Sequence, residues 1–475
     1  MIFSPLGLLS TELVVCAWIL VMLAADVLLP SPRKHALWAL AMTGVLLAGV
    51  ALAWGVPVGS LLSFQGMFVV DRFAAYFKGL FVLTTAVVII MTRAFRRHLT
   101  TNIGAFYMLL FTALLGALIL ASVNDFLLLF LGLELLTFSL YVMAAYLKTE
   151  ARSIEAGMKY LILGSVSSGC LVYGIALLYG FAGSTNFVQV RQALAAGAVP
   201  LSAQAGVLLV LAGLGFKIAM VPFHLWVPDV YEGAPTPVVA MLSVGSKMAG
   251  VIALLRVLYA ACWPLHGLWA PLLAVLSAAT MLYGNLGAIP QTNIKRLLGY
   301  SAIGHAGYLL MGLSTASPAG LEAVSYYLLA YLFSNLAVFL VVVAASDAIG
   351  GDALNDYNGL SKRSPMLAAG MFVGLLSLAG VPPLAGFTGK LLVLLAAVAS
   401  QRVWLVGIGA VNVAISLYYY LMVVKRMYLG KPSSSAPITV DAITQGTLVF
   451  LLLGIFAIGM VQGPFLKTIS LLFQP

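Results

Sequence analysis

The sequence predicts an all-α fold: a polytopic integral membrane protein of about 14 transmembrane helices, with two inverted five-helix repeats that contain discontinuous helices. Three observations predict it. The 475 residues are 63% hydrophobic and only 8% charged, where a typical soluble domain carries about 25% charged residues. Apolar runs near the bilayer-crossing length of about 20 residues recur from end to end, and they are continuous rather than alternating, which excludes a β-barrel. Two of the runs are long, interrupted by proline, and each holds one lysine.

Taken in order, the span cores lie at 7–29, 36–54, 73–92, 104–122, 125–147, 157–181, 204–231, 236–260, 268–288, 300–315, 321–346, 366–400, 403–424 and 447–470. No basic residue precedes Arg33, so the first run reads as a retained span rather than a signal peptide. Loops after odd-numbered spans carry 15 basic residues, from Arg33, Lys34 and Arg93 through Lys295 and Arg296 to Lys425 and Lys431. Loops after even-numbered spans carry 5, namely Arg72, Lys78, Arg191, Arg256 and Arg402. A miscounted span would scramble this parity downstream. The bias therefore supports fourteen spans, with both termini on the non-cytoplasmic side. It also assigns the +10 net charge to orientation, not to nucleic-acid binding.

Span 7 (204–231) and span 12 (366–400) are the broken ones. Span 7 contains Lys217 and then Pro222; span 12 contains Pro382 and Pro383 and then Lys390. They stand five spans apart, and because five is odd the units around them face opposite ways. Paired broken helices in two inverted halves point to a transport site near the bilayer midplane. The division that follows is a three-helix flank at 1–100, a first repeat at 101–262 (spans 4–8), a second repeat at 263–430 (spans 9–13) and a last span at 431–475.

Of the 24 basic and 14 acidic residues, four sit well inside spans: Glu134, Lys217, Lys247 and Lys390. Each costs on the order of 2.5–3.5 kcal/mol on insertion scales. Together they approach the net stability of a whole domain, roughly 5–15 kcal/mol. One carboxylate can pair with one lysine and stitch two helices together; it cannot neutralise three. A buried lysine without an acid favours its neutral form. A lysine that toggles between the two forms carries a proton. An acid beside Lys217 would hold it charged, and moving that acid away would release the proton. Proline explains how the backbone tolerates these sites. Pro222 leaves the carbonyl of Ile218 without its helical donor, and Pro382 and Pro383 do the same to Leu378 and Ala379. Such carbonyls survive at membrane depth only against protein or water. His224, just past the first break, and His305, in span 10, are either relay members or satisfied hydrogen-bonding groups. Ser243, Ser246, Thr388 and Tyr300 are candidates for water-linked bonds.

Other chemistry is absent from the pattern. Cys16, Cys170 and Cys262 are scattered, with no CxxC and no His/Cys cluster, so no iron–sulfur, haem or zinc centre is expected. No GxGxxG or GxxxxGK[ST] is present to cradle a nucleotide.

Several stretches carry a resemblance. "GFKIAMVPFHLWVPDVYEGAPTPV", "SVGSKMAG", "QTNIKRLLGYSAIGHAGYLL", "FLGLELLTFSLY" and "SLAGVPPLAGFTGK" closely resemble the antiporter-like membrane subunits of respiratory complex I, the proton-pumping NADH:quinone oxidoreductase. The resemblance covers essentially the whole chain. It is nearest the N type: Lys390 stands where the M type has a glutamate, and the chain stops after span 14 where the L type continues into a lateral helix. It implies a translocase subunit that couples quinone reduction elsewhere to proton transfer along Glu134, Lys217, Lys247, His305 and Lys390, with His224 on a further family motif. It implies that NADH, flavin mononucleotide, iron–sulfur clusters and quinone all belong to partner subunits. The implied partners are the homologous antiporter-like subunits, small membrane subunits, the lipid bilayer, protons and internal water, in a bacterial inner membrane. Two other readings share the buried lysines: a subunit of a multi-subunit cation/proton antiporter, and a non-pumping scaffold subunit.

Overall fold

A computed structural model of the chain describes residues 9–30, 34, 36–55, 60–99, 102–432, 434 and 436–474. Among them, eleven helices are long and apolar enough to cross a membrane, which makes this a multi-pass membrane protein. Six come first: α1 (Ser10–Leu28), α2 (Leu37–Trp54), α3 (Arg72–Ala94), α4 (Ile103–Ala121), α5 (Phe126–Ala144) and α6 (Ala151–Ala182). A short α7 (Phe187–Ala195) follows on the surface, then the two pieces α8 (Leu201–Lys217) and α9 (Trp226–Gly233). Next comes a continuous rod, Thr236–Ala261, made of α10 (Thr236–Met241) and α11 (Lys247–Arg256) joined through a π-helical turn at Leu242–Ser246. The second half contains α12 (His266–Ala288), α13 (Ile294–Ser314), α14 (Pro318–Ile349), the single turn α15 (Leu360–Arg363), α16 (Pro365–Ala379), α17 (Ala385–Ala399), α18 (Val403–Leu429), α19 (Ala442–Met460) and α20 (Gln462–Ser470).

Helix starts follow local chemistry. Asp71 caps α3 by accepting from the Ala74 amide at 2.7 Å, Asp125 caps α5 from Leu127 at 2.8 Å, and Asn293 and Ser317 do the same for α13 and α14. Each cap satisfies an amide that the first turn leaves without a partner. Burial sorts the helices into a centre and a rim. The rod Thr236–Ala261 and the 32-residue α14 are almost wholly enclosed, whereas α1, α2 and α6 turn most of their surface outward. Outward leucines and valines are the expected lipid face. Between helices, glycine permits contact that lipid-facing side chains do not: a Cβ on Gly284 of α12 would run into the backbone nitrogen of Gly304 in α13.

Both interrupted runs do break at proline. After α8 the chain leaves the helix over residues 218–225, around Pro222. The indole of Trp226 donates to the Phe216 carbonyl at 3.1 Å, and Thr280 accepts the Val221 amide at 3.1 Å. After α16 the chain turns at Gly380, which takes the left-handed φ of +90° that glycine tolerates, and resumes as α17.

Three details differ from the sequence expectation. Two short strands, β1 (Leu61–Ser63) and β2 (Phe68–Val70), pair antiparallel between α2 and α3, where the chain is outside the apolar layer and the backbone needs partners of its own. The last run, 447–470, is two helices: α19 ends at Met460, and Val461 breaks to the separate α20. Lys78 is no loop residue. It lies in the second turn of α3, 3% exposed, with Nζ 2.7 Å from Glu12 Oε1 of α1. A hydropathy window cannot see that an acid on a distant helix neutralises it. Arg33, used in the parity count, lies outside the described residues.

Candidate functional site: a buried lysine row

The site is built on one face of α13. Ala302, His305 and Tyr308 follow one another at intervals of three, so a single helical stripe presents a carbonyl, an imidazole and a phenol. Lys247 meets the first: its Nζ donates to the Ala302 carbonyl at 2.5 Å. His305 sits in the middle, sharing hydrogen bonds through Nδ1 with Tyr327 at 2.6 Å and through Nε2 with Tyr420 at 3.2 Å. Tyr420 in turn bonds Ser301. Lys390 meets the third, with Nζ 5.0 Å over the ring of Tyr308. Lys247, His305 and Lys390 are all buried.

Each lysine is held by the break or bulge beside it. Lys247 begins α11 directly after the π-helical turn, a local widening that frequently marks functional positions. Lys390 reaches back across the second break and donates to the Ala379 carbonyl at 2.8 Å, with Ser416 Oγ at 3.5 Å. Ala379 is a carbonyl that Pro383 leaves without its helical amide. The lysine therefore supplies the donor that proline withholds. It also places a cation at the negative end of α16.

Lys217 is the last residue of α8 and is 4% exposed. Its Nζ has no hydrogen-bond partner and lies 5.6–5.9 Å from the rings of Tyr160, Tyr141 and Phe216. Its helix packs against that of Lys247 at Gly250, one turn beyond Lys247: a Cβ there would sit 3.0 Å from Lys217 Cβ and 2.9 Å from Ile218. The bare glycine lets α8 close on α11.

Two expected members make no hydrogen bond or ion pair with the row, although Glu134 is the acid that acts on Lys217. Glu134 is half-buried on α5 and accepts from Ser168 of α6 at 2.5 Å. Among the described ion pairs none joins it to Lys217, so the expected direct pair is not formed; the rings of Tyr141 and Tyr160 flank the ammonium instead. His224 is buried, has no hydrogen bond from either ring nitrogen, and packs edge-on to Tyr283 with centroids 4.1 Å apart. It does not touch the row. Of the polar candidates, Ser243 bonds Tyr331 at 3.0 Å and Asn335 at 2.8 Å, while Thr388 instead accepts from Gln462 at 3.0 Å. Ser246 is buried without a partner, and Tyr300 is only half-buried. The tyrosines 308, 327, 331 and 420 were not singled out by sequence, because a tyrosine in an apolar helix is usually packing. Tyr308 stands three residues past His305 on α13, but that Tyr327, Tyr331 and Tyr420 gather around the same ring is visible only in three dimensions.

Outside the row, α9 is fastened by charge. Asp229 receives Lys159 of α6 and Arg296 of α13, each at 2.6 Å, and Arg296 also reaches Glu232 at 3.1 Å. Among the described residues no group of three or more His, Cys, Asp or Glu side chains could hold a metal ion.

Fold and site together define a multi-pass helical membrane protein with two interrupted helices and a buried row of lysines. The family described as "NADH:quinone oxidoreductase/Mrp antiporter, TM" matches residues 123–416, well over half of the chain. A relative from Moorella thermoacetica, "NADH-quinone oxidoreductase subunit N", is 42% identical over 463 residues, covering 97% of each chain. The chain therefore belongs to this family and, within it, to the NADH-quinone oxidoreductase subunit N group. Among solved structures, a chain of respiratory complex I from Thermus thermophilus is 31% identical, with a TM-score of 0.82 over 96% of this chain and 98% of that one. A chain of the Mrp complex from Dietzia sp. DQ12-45-1b superposes with a TM-score of 0.85 over 99% and 97%, but at 21% identity it shows the fold alone.

Proposed function

We propose that this chain is a proton-translocating membrane subunit of NADH:quinone oxidoreductase, complex I of a bacterial respiratory chain. The observation that carries it is the row on α13, where Lys247, His305 and Lys390 meet consecutive turns of one buried helix face. His305 bonds the hydroxyls of Tyr327 and Tyr420, while Lys247 and Lys390 stand over the rings of Tyr331 and Tyr308; internal water would bridge these groups into a path along which protons move without a redox cofactor. Lys217 loads the row from the first repeat. Glu134, held by Ser168 at the side of the bundle, is the acid whose approach or withdrawal sets the charge of Lys217. His305 carries protons between the two lysines; His224 is a packing plug beside the break. Energy arrives from partner subunits, which hold NADH, flavin mononucleotide, the iron–sulfur clusters and the quinone.

The topology we propose has fourteen spans: the eleven long helices, α13, and the two pairs α8–α9 and α16–α17 counted as one interrupted span each. Both termini are then on the non-cytoplasmic side of the bacterial inner membrane. The repeats are 101–262 and 263–430, flanked by 1–100 and 431–475. Support comes from the matching breaks, each with a lysine at a helix end or facing one.

The cation/proton antiporter reading shares the fold. Identity of 42% to a subunit N, against 21% to the Mrp chain, favours the first. The chain is expected to comigrate with piericidin-sensitive NADH:quinone oxidoreduction when the native complex is purified from membranes. Recovery in an assembly that exchanges sodium for protons and oxidises no NADH would overturn the assignment.

A further inference from the structure

A polar cavity of about 210 Å³ opens at the end of α3 and takes no part in the lysine row. Arg93 and Arg96 line it from the end of α3, Trp38 from the first turn of α2, Tyr107 from α4, Asp441 from the start of α19, and Lys34 from the segment before α2. Its walls are fixed. Trp38 Nε1 donates to the Ile89 carbonyl at 3.0 Å, and Tyr107 shares a 2.8 Å hydrogen bond with Thr92.

Its cations are only partly neutralised. Arg93 lies 4.7 Å over the ring of Trp38 and reaches Asp441 at 3.5 Å, both side chains being more than a third exposed. Lys34 pairs with Asp26 at 2.7 Å. Arg96 makes no ion pair with any described residue. Asp441 meets Arg93 and Asp26 meets Lys34, so of the three lining cations Arg96 is left without an ion pair among the described residues. It lies at the level where α2, α3 and α4 leave the apolar layer, and Trp38 and Tyr107 are the ring types that favour that boundary. The neighbouring sides of α1 and α2 are bare and apolar: Val27 is 76% exposed, Leu28 80% and Leu46 63%.

We propose that this cavity holds the phosphate of an anionic phospholipid whose acyl chains lie along α1 and α2. A guanidinium pair recognises phosphate oxygens in bidentate fashion, and basic pockets between membrane helices at the lipid boundary take anionic headgroups. A zwitterionic lipid would bring its own cation against Arg93, Arg96 and Lys34. A free phosphate ion would leave the apolar sides of α1 and α2 unused. The bound lipid joins the end of α3, through Arg93 and Arg96, to the segment before α2 at Lys34.

The test uses the intact complex in nanodiscs, with a diazirine-bearing phosphatidylglycerol probe and mapping of labelled peptides by mass spectrometry. The expected result is labelling of the peptides that carry α1 and α2, lowered on the order of tenfold by Arg93→Gln with Arg96→Gln and unchanged by Arg402→Gln. Excess phosphatidylcholine should not compete, and neither should inorganic phosphate. Equal labelling from a phosphatidylcholine probe would overturn the proposal, as would insensitivity to the double substitution. Full competition by inorganic phosphate would identify a free-anion site and overturn it too. Should the double variant fail to assemble, the comparison of the two probes on the unaltered complex decides alone.

Discussion

Lys247→Ala is expected to abolish proton translocation through this chain while the complex stays assembled. The expectation rests on what the lysine touches. Its one hydrogen-bond acceptor, the Ala302 carbonyl, lies within the uninterrupted helix α13 and has a helical amide of its own. Removing the lysine therefore orphans nothing. It also relieves the burial of a cation, which costs on the order of 2.5–3.5 kcal/mol on insertion scales. Stability is thus retained or raised, while proton transfer at that point loses the carrier. A positioned acid–base group contributes about 10²–10⁴ in rate, so the step becomes too slow to keep pace with electron transfer. The check is proteoliposome pumping measured beside NADH oxidation and beside the thermal midpoint of the complex. Full pumping with normal assembly would return the chain to the scaffold reading.

Lys390→Ala should do something different: lose pumping and lose stability together. Here the acceptor is the Ala379 carbonyl at the end of α16, whose helical donor is missing at Pro383. Without Lys390 that carbonyl is buried unsatisfied, at about 1–3 kcal/mol, and the helix end loses its cation. Lys390→Arg separates the two roles. A guanidinium still donates to Ala379, so stability should return, but it does not release a proton in a protein, so pumping should not. Equal pumping by the arginine variant would remove Lys390 from the proton path and leave it as a helix cap. The measurements are thermal unfolding of the complex and protons moved per electron pair for the three forms.

The contrast between these lysines shows what the sequence could and could not carry. Charge inside apolar runs is rare enough that Lys217, Lys247 and Lys390 stood out by position alone. Proline inside such runs located both breaks, and it named Ala379 as a carbonyl in need of a donor. That the donor is Lys390 follows from the chain folding back at Gly380, a turn no spacing rule specifies. The tyrosines that bond His305 were invisible for the opposite reason: Tyr327 and Tyr420 come from two other helices, and each looks like packing in its own run. Glu134 and Lys217 were expected to pair because one buried carboxylate can hold one lysine charged and the family resemblance sets the two in sequence along the path. The structure instead turns Glu134 toward Ser168 at the edge of the bundle. Lys78 was placed in a loop, since Glu12 lies two helices earlier and nothing local announces the pair.

Isotope-edited infrared difference spectroscopy on the assembled complex tests the central claim, that buried lysines of this row change protonation. With lysine labelled, a deprotonating ammonium band should appear on titration and during turnover, and it should shrink in Lys247→Ala and again when Lys390→Ala is added. A spectrum in which no intramembrane lysine deprotonates at any accessible pH would contradict it.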